Sequence, residues 1–430
     1  MELYAKVLNY TMPVFLLLIL GEQLAARRMG KQVNRSLDSV SSISSGMTNV
    51  IKNVLGLTIS LLTYDWMLSH LAIFQIESTW VTYLVTFLVI DFKGYWVHRW
   101  EHRINLLWNR HVIHHSSEEF NLSCALRQTV STVFDYFAFL LLPAALLGIP
   151  VEVIAIVAPL HLFLQFWYHT RLIGRMGFLE HIIVTPSHHR VHHAINPIYM
   201  DRNFGQIFIV WDKWFGTFQE ELQEVPCVYG ITRPARTWNP IKINFQHFWL
   251  LLRDAYHTRS WRDKARIWFM PTGWRPADVK AHYPVYAIES PETYQKFDTP
   301  SSPAFSLWAW TQLMVSYGLL IYLFAYIGSI GFAMAALYGG FLVLSIYAYT
   351  ELMDRNPLAW TFELTKSVLG LAIIFWLDDW FGASQHVGTW VTPLVAGYQV
   401  LSVLVVVYFS ASFRKDQAPQ QAPAKSAAVG

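Results

Sequence analysis

Runs of about twenty apolar residues recur along this 430-residue chain, each long enough to cross the hydrocarbon core of a bilayer as a helix. A helix satisfies its own peptide groups without water, so such runs leave the backbone little other choice. Nine stretches fit, at roughly 8–26, 51–74, 79–97, 129–148, 151–169, 305–327, 329–350, 357–377 and 390–410. Hydrophobic residues make up 54% of the chain and charged residues 14%, a balance unlike that of a soluble enzyme. The fold class expected is an all-α integral membrane protein with about nine transmembrane helices.

Basic residues orient these stretches. Arg27, Arg28, Lys31 and Arg35 follow the first, Arg99, Arg103 and Arg110 the third, and Arg171 and Arg175 the fifth. Arg355 follows the seventh, and Arg414 with Lys415 the ninth. The positive-inside rule makes those ends cytoplasmic, the N-terminus external and the C-terminus internal. Residues 1–26 read as a span rather than a signal peptide, since Arg27 and Arg28 come after the apolar run instead of before it. Cys124 and Cys227 offer no disulfide framework. Basic loops beside anionic headgroups account for the net charge of +3, and no nucleic-acid partner is expected.

Against this background the histidines are unevenly placed: twelve of the 17 lie between His98 and His193. They form three tight groups, His98 with His102, then His111, His114 and His115, then His189, His192 and His193. Spacings of three and four put imidazoles on one helix face, aimed at a common point. Neutral imidazole suits iron, zinc or copper, and so many ligands exceed the needs of one ion, so a dinuclear site is expected. All three groups fall on the predicted cytoplasmic side. A structural zinc site would close with four ligands, whereas open positions here permit chemistry on O2 or metal-assisted hydrolysis. For hydrolysis Glu101, Glu118 and Glu119 are the available carboxylates, and none is spaced as in a hydrolase motif. A metal transporter is disfavoured, because transport sites usually sit near the bilayer midplane rather than at one face.

The organisation expected is 1–78, N-terminal transmembrane helices; 79–218, a histidine-rich core; 219–304, a proline-punctuated cytoplasmic helical cap; 305–412, C-terminal transmembrane helices; and 413–430, a disordered tail. Serine-rich 36–47 joins the first two spans. Within the cap, Ile241–His257 suits an interfacial helix, with packing on the core as the alternative. Glu363 and Lys366 are expected to pair with each other or to snorkel.

The boxes at 98–102, 111–115 and 189–193 resemble those of the fatty acid hydroxylase, or sterol desaturase, superfamily of membrane di-iron oxygenases. The runs HHSSEEFNLSCALRQ at 114–128, QFWYHT at 165–170, PSHHRVHH at 186–193 and WDKWFGTF at 211–218 resemble its ether-lipid-cleaving branch. The resemblance implies metal ligands at His98, His102, His111, His114, His115, His169, His189, His192 and His193, holding two iron ions. It implies a membrane lipid substrate and O2, with alkylglycerol ethers cleaved to a fatty aldehyde and a glycerol derivative, and tetrahydrobiopterin as reductant. The alternative is a hydroxylase of a sterol, acyl chain or aminolipid fed by a ferredoxin or cytochrome. Some members carry a further histidine where this chain has Gln165, whose amide would bind weakly or hold a water. His161 is a weaker ligand candidate, about two turns deeper. His188, Asp201, Asn203 and Asp212 are expected to orient ligand imidazoles, although Asp201 and Asn203 also suit a plain turn. Asn121 and Arg127 would fix a loop or meet a headgroup, and the tryptophans at 211–214 suit an interfacial belt. The location expected is a membrane with the active site on its cytoplasmic face, a bacterial inner membrane rather than endoplasmic reticulum.

Overall fold

A computed structural model describes residues 2–60, 62–132, 134–135 and 137–417. In chain order its helices are α1 (Glu2–Arg28), α2 (Ser36–Val54), α3 (Tyr64–Leu71), α4 (Trp80–Arg103), α5 (Asn105–His115), α6 (Leu142–Leu146), α7 (Val151–Phe163), α8 (Pro186–His192) and α9 (Val210–Trp214). The cap contributes α10 (Pro240–His257), α11 (Trp261–Arg266) and α12 (Ala277–His282). Then come α13 (Pro303–Ile330), α14 (Phe332–Met353), α15 (Ala359–Leu377), α16 (Ala383–His386) and α17 (Val391–Gln417). Two short strands, β1 (Ile59–Ser60) and β2 (Phe134–Asp135), pair in parallel. The chain forms two compact units, Tyr10–Phe297 and Glu2–Asn9 with the residues from Asp298 onward.

Among the described residues five helices are long and apolar enough to cross a membrane: α1, α13, α14, α15 and the Val391–Arg414 part of α17. The other four expected crossings do not take that form. Stretch 51–74 is cut where Gly56 adopts φ +63 and Thr63 caps the start of α3. Stretch 129–148 carries Ser131, Thr132 and Asp135, and its described residues form the short strand β2, a 3-10 turn and the five-residue α6 before Gly148 at φ +73. Stretch 151–169 stops being helical after Phe163. The 24-residue α4 has the length, but Asp91 and Lys93 interrupt its apolar run. A short apolar run therefore served a buried helix or turn as well as a span. Serine-rich 36–47 is no linker either. It begins the buried helix α2, whose small side chains let Ser41 donate to the Trp238 carbonyl at 2.7 Å and Ser42 accept from Arg127 at 2.9 Å.

In the first unit α4 packs on α5 and α7, and α10 packs on α5, α2 and α11. Ala144, Ile149, Val153 and Val157 form a core with Tyr83, Phe87 and Ile90 of α4. The rest of this region shows apolar side chains outward, among them Leu84, Leu88 and Phe92 of α4 and Ile156, Leu160 and Phe163 of α7. In the second unit α13, α14, α15 and α17 pack in succession. There Glu363 and Lys366 do not snorkel. Both are buried, 2.5 Å apart, and Ser402 bonds to both. Helix α17 carries the first residues of the expected disordered tail to Gln417, and 418–430 lie outside the described residues.

Candidate metal centre

Three helices and one turn aim the nine histidines inward. Thr79 caps α4, which holds His98 and His102 one turn apart near its far end. Asn105 opens α5 and is pinned through its side chain to the carbonyls of Ile267 and Trp274, both at 3.0 Å. That fixes the face bearing His111, His114 and His115. Pro186 begins α8 after Thr185, and His193 follows its last turn. His169 stands in the irregular turn after α7.

These side chains gather in two groups whose ligand atoms lie within 4.8 Å of one another: His98, His102, His111, His115 and His192, and His114, His169, His189 and His193. In the second group the Nε2 atoms close a ring, His114 to His169 at 3.3 Å, His169 to His189 at 2.9 Å, and His193 to His189 and to His114 at 3.1 Å each. In the first, His98 meets His111 at 3.0 Å, while His115 meets His102 and His192 at 3.1 Å each. Two nitrogens bound at about 2.1 Å to one ion stand about 3.0 Å apart at a right angle and about 3.4 Å apart at a tetrahedral one. The groups share a wall, since the His115 and His193 rings stack with centroids 4.2 Å apart.

Protonation decides what holds these nitrogens together. The Nδ1 atoms of His98, His114, His169 and His192 face the carbonyls of Phe204, Arg127, Gln165 and Arg202 at 2.8, 3.2, 3.0 and 2.9 Å. A carbonyl only accepts, so each Nδ1 carries the proton and each Nε2 is a bare lone pair. Burial, reinforced for most by neighbouring imidazoles, holds all nine below the ordinary imidazole value, His114 and His169 at about 3. His114 and His169 therefore point lone pairs at each other with no proton between them. A cation at that point removes the repulsion, and the donor set fits a metal.

Surrounding groups set the ring orientations. Asp201 and Asn203 take positive φ, +57 and +55, which curls the segment between them so that the carbonyls of Arg202 and Phe204 reach His192 and His98. Asp201 is more than a turn residue, with Oδ1 3.7 Å from His102 Nδ1. Asp212 accepts from the backbone of Phe204 and Gly205 and so supports the same segment. Burial pushes the Glu101 carboxyl up to about 7, and Glu101 lies 3.6 Å from His111 Nδ1. Asp201→Asn keeps a side chain suited to positive φ and removes the charge. It should weaken metal binding about tenfold, and an unchanged affinity in a metal titration would reject this orienting role.

Other expected residues stand elsewhere. His161 is no member of either group, and its Nε2 meets Asp91 at 2.8 Å. Gln165 turns its amide to His161 Nδ1 at 3.2 Å, and its backbone carbonyl serves His169 instead. His188 does not touch the ligand rings. It takes the Thr185 N–H at the start of α8 and packs on Phe218. Asn203 ties down the carbonyls of His188 and Gln219. Asn121 and Arg127 fix loops: Asn121 binds the Val33 carbonyl, and Arg127 pairs with buried Asp38 at 2.8 Å. Trp211 donates to Asp91 at 2.7 Å rather than joining a belt, while Trp214 is exposed. Sequence reasoning did not find the packing shell of Trp108, Phe120 and Tyr168 against the imidazoles, with Tyr168 at 4.4 Å from His189. Their only sequence signal is an aromatic within a few residues of a box.

A helical membrane protein with two nests of buried neutral imidazoles is a membrane metalloenzyme in outline, and comparison with known proteins gives that outline a family. The fatty acid hydroxylase family model matches residues 83–217, the stretch that holds all nine histidines. Human alkylglycerol monooxygenase is 33% identical over 367 residues, 84% of this chain and 81% of its own length. The Danio rerio alkylglycerol monooxygenase is 37% identical over 275 residues, 63% of this chain and 60% of its own. An ornithine lipid hydroxylase from Rhizobium tropici is 29% identical over 146 residues, 34% of this chain and 44% of its own. No solved structure matches. The chain belongs to the fatty acid hydroxylase family, within its alkylglycerol monooxygenase branch, and is a lipid monooxygenase.

Proposed function

We propose that this enzyme binds two iron ions, one by His98, His102, His111, His115 and His192 and the other by His114, His169, His189 and His193, and uses them to cleave alkylglycerol ethers. The observation that carries this reading is the lone pair of His114 facing that of His169, in a site built of imidazole alone. Bound iron would supply the oxidising power needed to break the strong carbon–hydrogen bond next to the ether oxygen. The chain supplies nine neutral, oriented ligands and a shell of aromatic side chains around them.

One oxygen atom of O2 enters the carbon next to the ether oxygen, and the other leaves as water, taking two electrons and two protons from tetrahydrobiopterin. The hemiacetal so formed collapses to a fatty aldehyde and a glycerol derivative. Similarity over most of the chain to relatives named for alkylglycerols favours this substrate. The ornithine lipid hydroxylase and a sterol desaturase share only about a third of the chain, 34% and 35%, against 84% for the human alkylglycerol monooxygenase, and so weigh less on the choice of substrate.

The site faces the cytoplasm in this reading. Five crossings, like nine, are odd in number, and both leave Arg27, Arg28, Arg355 and Arg414 on the same side as the histidines. Iron-loaded protein given an alkylglycerol, O2 and tetrahydrobiopterin should release fatty aldehyde. A preparation that hydroxylates a sterol or acyl chain yet yields no aldehyde from alkylglycerol would sink the ether reading and leave the metal site standing.

A further inference from the structure

The cap holds a cavity of about 350 Å³ that the reading above leaves without a role. Its buried wall is apolar, formed by Val112 and Ile243 with Trp108. Trp108 also packs on the metal site, its ring centroid 5.0 Å from that of His102 and 5.5 Å from that of His115. One side chain thus separates the cavity from the five-histidine group.

Three arginines, Arg233, Arg236 and Arg253, also line the cavity, alongside the uncharged polar groups of Thr232, Gln246 and Thr272. Among the described residues none of the three has a carboxylate within ion-pair distance. Asp254, next to Arg253, is taken by Arg275 through bonds of 2.5 and 2.9 Å. Burial first, then the guanidiniums of Arg275 and Arg253, push Arg233 below its ordinary value, and the opposing pull of Asp254 does not offset them. Arg236 lies over the Tyr286 ring at 4.5 Å, which fixes it on the cavity wall. Three forked donors around one space match the several oxygens of a phosphate better than a single carboxylate.

The mouth of this cavity includes Trp249 and Arg253 of α10. The outward face of α10 carries Phe245, Trp249, Leu252 and Tyr256, all exposed and spaced by four, three and four, while its inner face buries Ile243, Asn244, Leu251 and Asp254. Both readings of 241–257 thus hold at once: one face packs on the core, and the other presents an aromatic stripe suited to headgroup depth in a bilayer. A cationic mouth beside such a stripe meets lipid before it meets solutes.

We infer that the cap cavity receives the phosphate headgroup of an anionic lipid, held by Arg233, Arg236 and Arg253, with the adjoining carbons against Trp108. This rests on the reading of the neighbouring metal site as one that acts on lipid, and it specifies an ether lipid carrying phosphate on its glycerol.

The test needs neither metal nor turnover. Full-length protein in neutral detergent is titrated with lysophosphatidic acid and with monoacylglycerol of the same chain, read by tryptophan fluorescence. The phosphate lipid should bind at least about tenfold more tightly, the effect of a single charge-assisted hydrogen bond. R236Q/R253Q, at two exposed positions, should reduce that preference to about twofold or less. Equal affinity for the two lipids in the unaltered protein, or a preference that survives R236Q/R253Q, overturns the site. Competition by glycerol phosphate as strong as that by the lysolipid would overturn the lipid as its source. Failure of aldehyde release would leave this binding result untouched, so the two readings fail separately.

Discussion

His169→Ala is expected to lower bound metal from about two ions per chain to about one, and to reduce lipid oxidation by at least about a hundredfold. His169 stands in the second imidazole ring, 3.3 Å from His114 and 2.9 Å from His189 through Nε2. Its Nδ1 is held by the Gln165 carbonyl, which keeps Nε2 aimed into the ring. Loss of an outer partner costs a metal site about 10–100-fold in affinity or activity, and loss of a ligand costs at least the upper end of that range. The five-histidine group contains no residue from this turn and should keep its ion. His161→Gln is the matched control: it alters a buried imidazole eight positions earlier and should leave the metal ratio of the folded protein unchanged. Equal metal content in His169→Ala and the unaltered protein would remove His169 from the ligand set.

The four C-terminal spans were legible to within a few residues, because 19 to 28 consecutive apolar helical residues have few other uses. The expected span 8–26 likewise lies within α1, but the region between α1 and the cap was not legible. Stretches 51–74 and 129–148 are as apolar as a span, yet they break at Gly56 and Gly148 and pair through β1 and β2 instead. Nothing in their hydropathy separates a short buried segment from a crossing. Buried α2 was missed for the opposite reason. A run of serines reads as a linker, and only the partners, Trp238 for Ser41 and Arg127 for Ser42, show why a polar helix is stable inside.

The convergence of the eight box histidines was legible from spacing, since each box lies on or at the end of one helix and a helix fixes which side chains share a face, whereas His169, in the turn after α7, entered the ligand set through the family resemblance. What orients them was not. Four of the orienting groups are backbone carbonyls, of Gln165, Arg127, Arg202 and Phe204, and a carbonyl has no letter in a sequence. Gln165 shows the difficulty well. Its side chain invited comparison with a missing ligand, while its contribution comes from the main chain.

Asp91→Ala should be the most destabilising single change outside the ligand set, by about 3–5 kcal/mol. Asp91 is fully buried in α4 and accepts from four donors: His161 Nε2 at 2.8 Å, the Ile207 and Phe208 amides at 2.8 and 3.2 Å, and the Trp211 indole at 2.7 Å. Those donors come from α7, from the segment before α9 and from α9 itself, so one carboxylate fastens three parts of the first unit to α4. Alanine would strand every one of them in a buried site, and each unpaired donor costs about 1–3 kcal/mol. Asn retains one acceptor oxygen but places an amide N–H₂ against donors, so Asp91→Asn should lose roughly half as much. The segment involved also holds Phe204, whose carbonyl orients His98, so metal affinity should fall together with stability. Thermal unfolding in detergent, with metal titrated on the folded fraction, checks both. If Asp91→Ala unfolds within about 1 kcal/mol of the unaltered protein, the carboxylate is not the fastening this structure makes it.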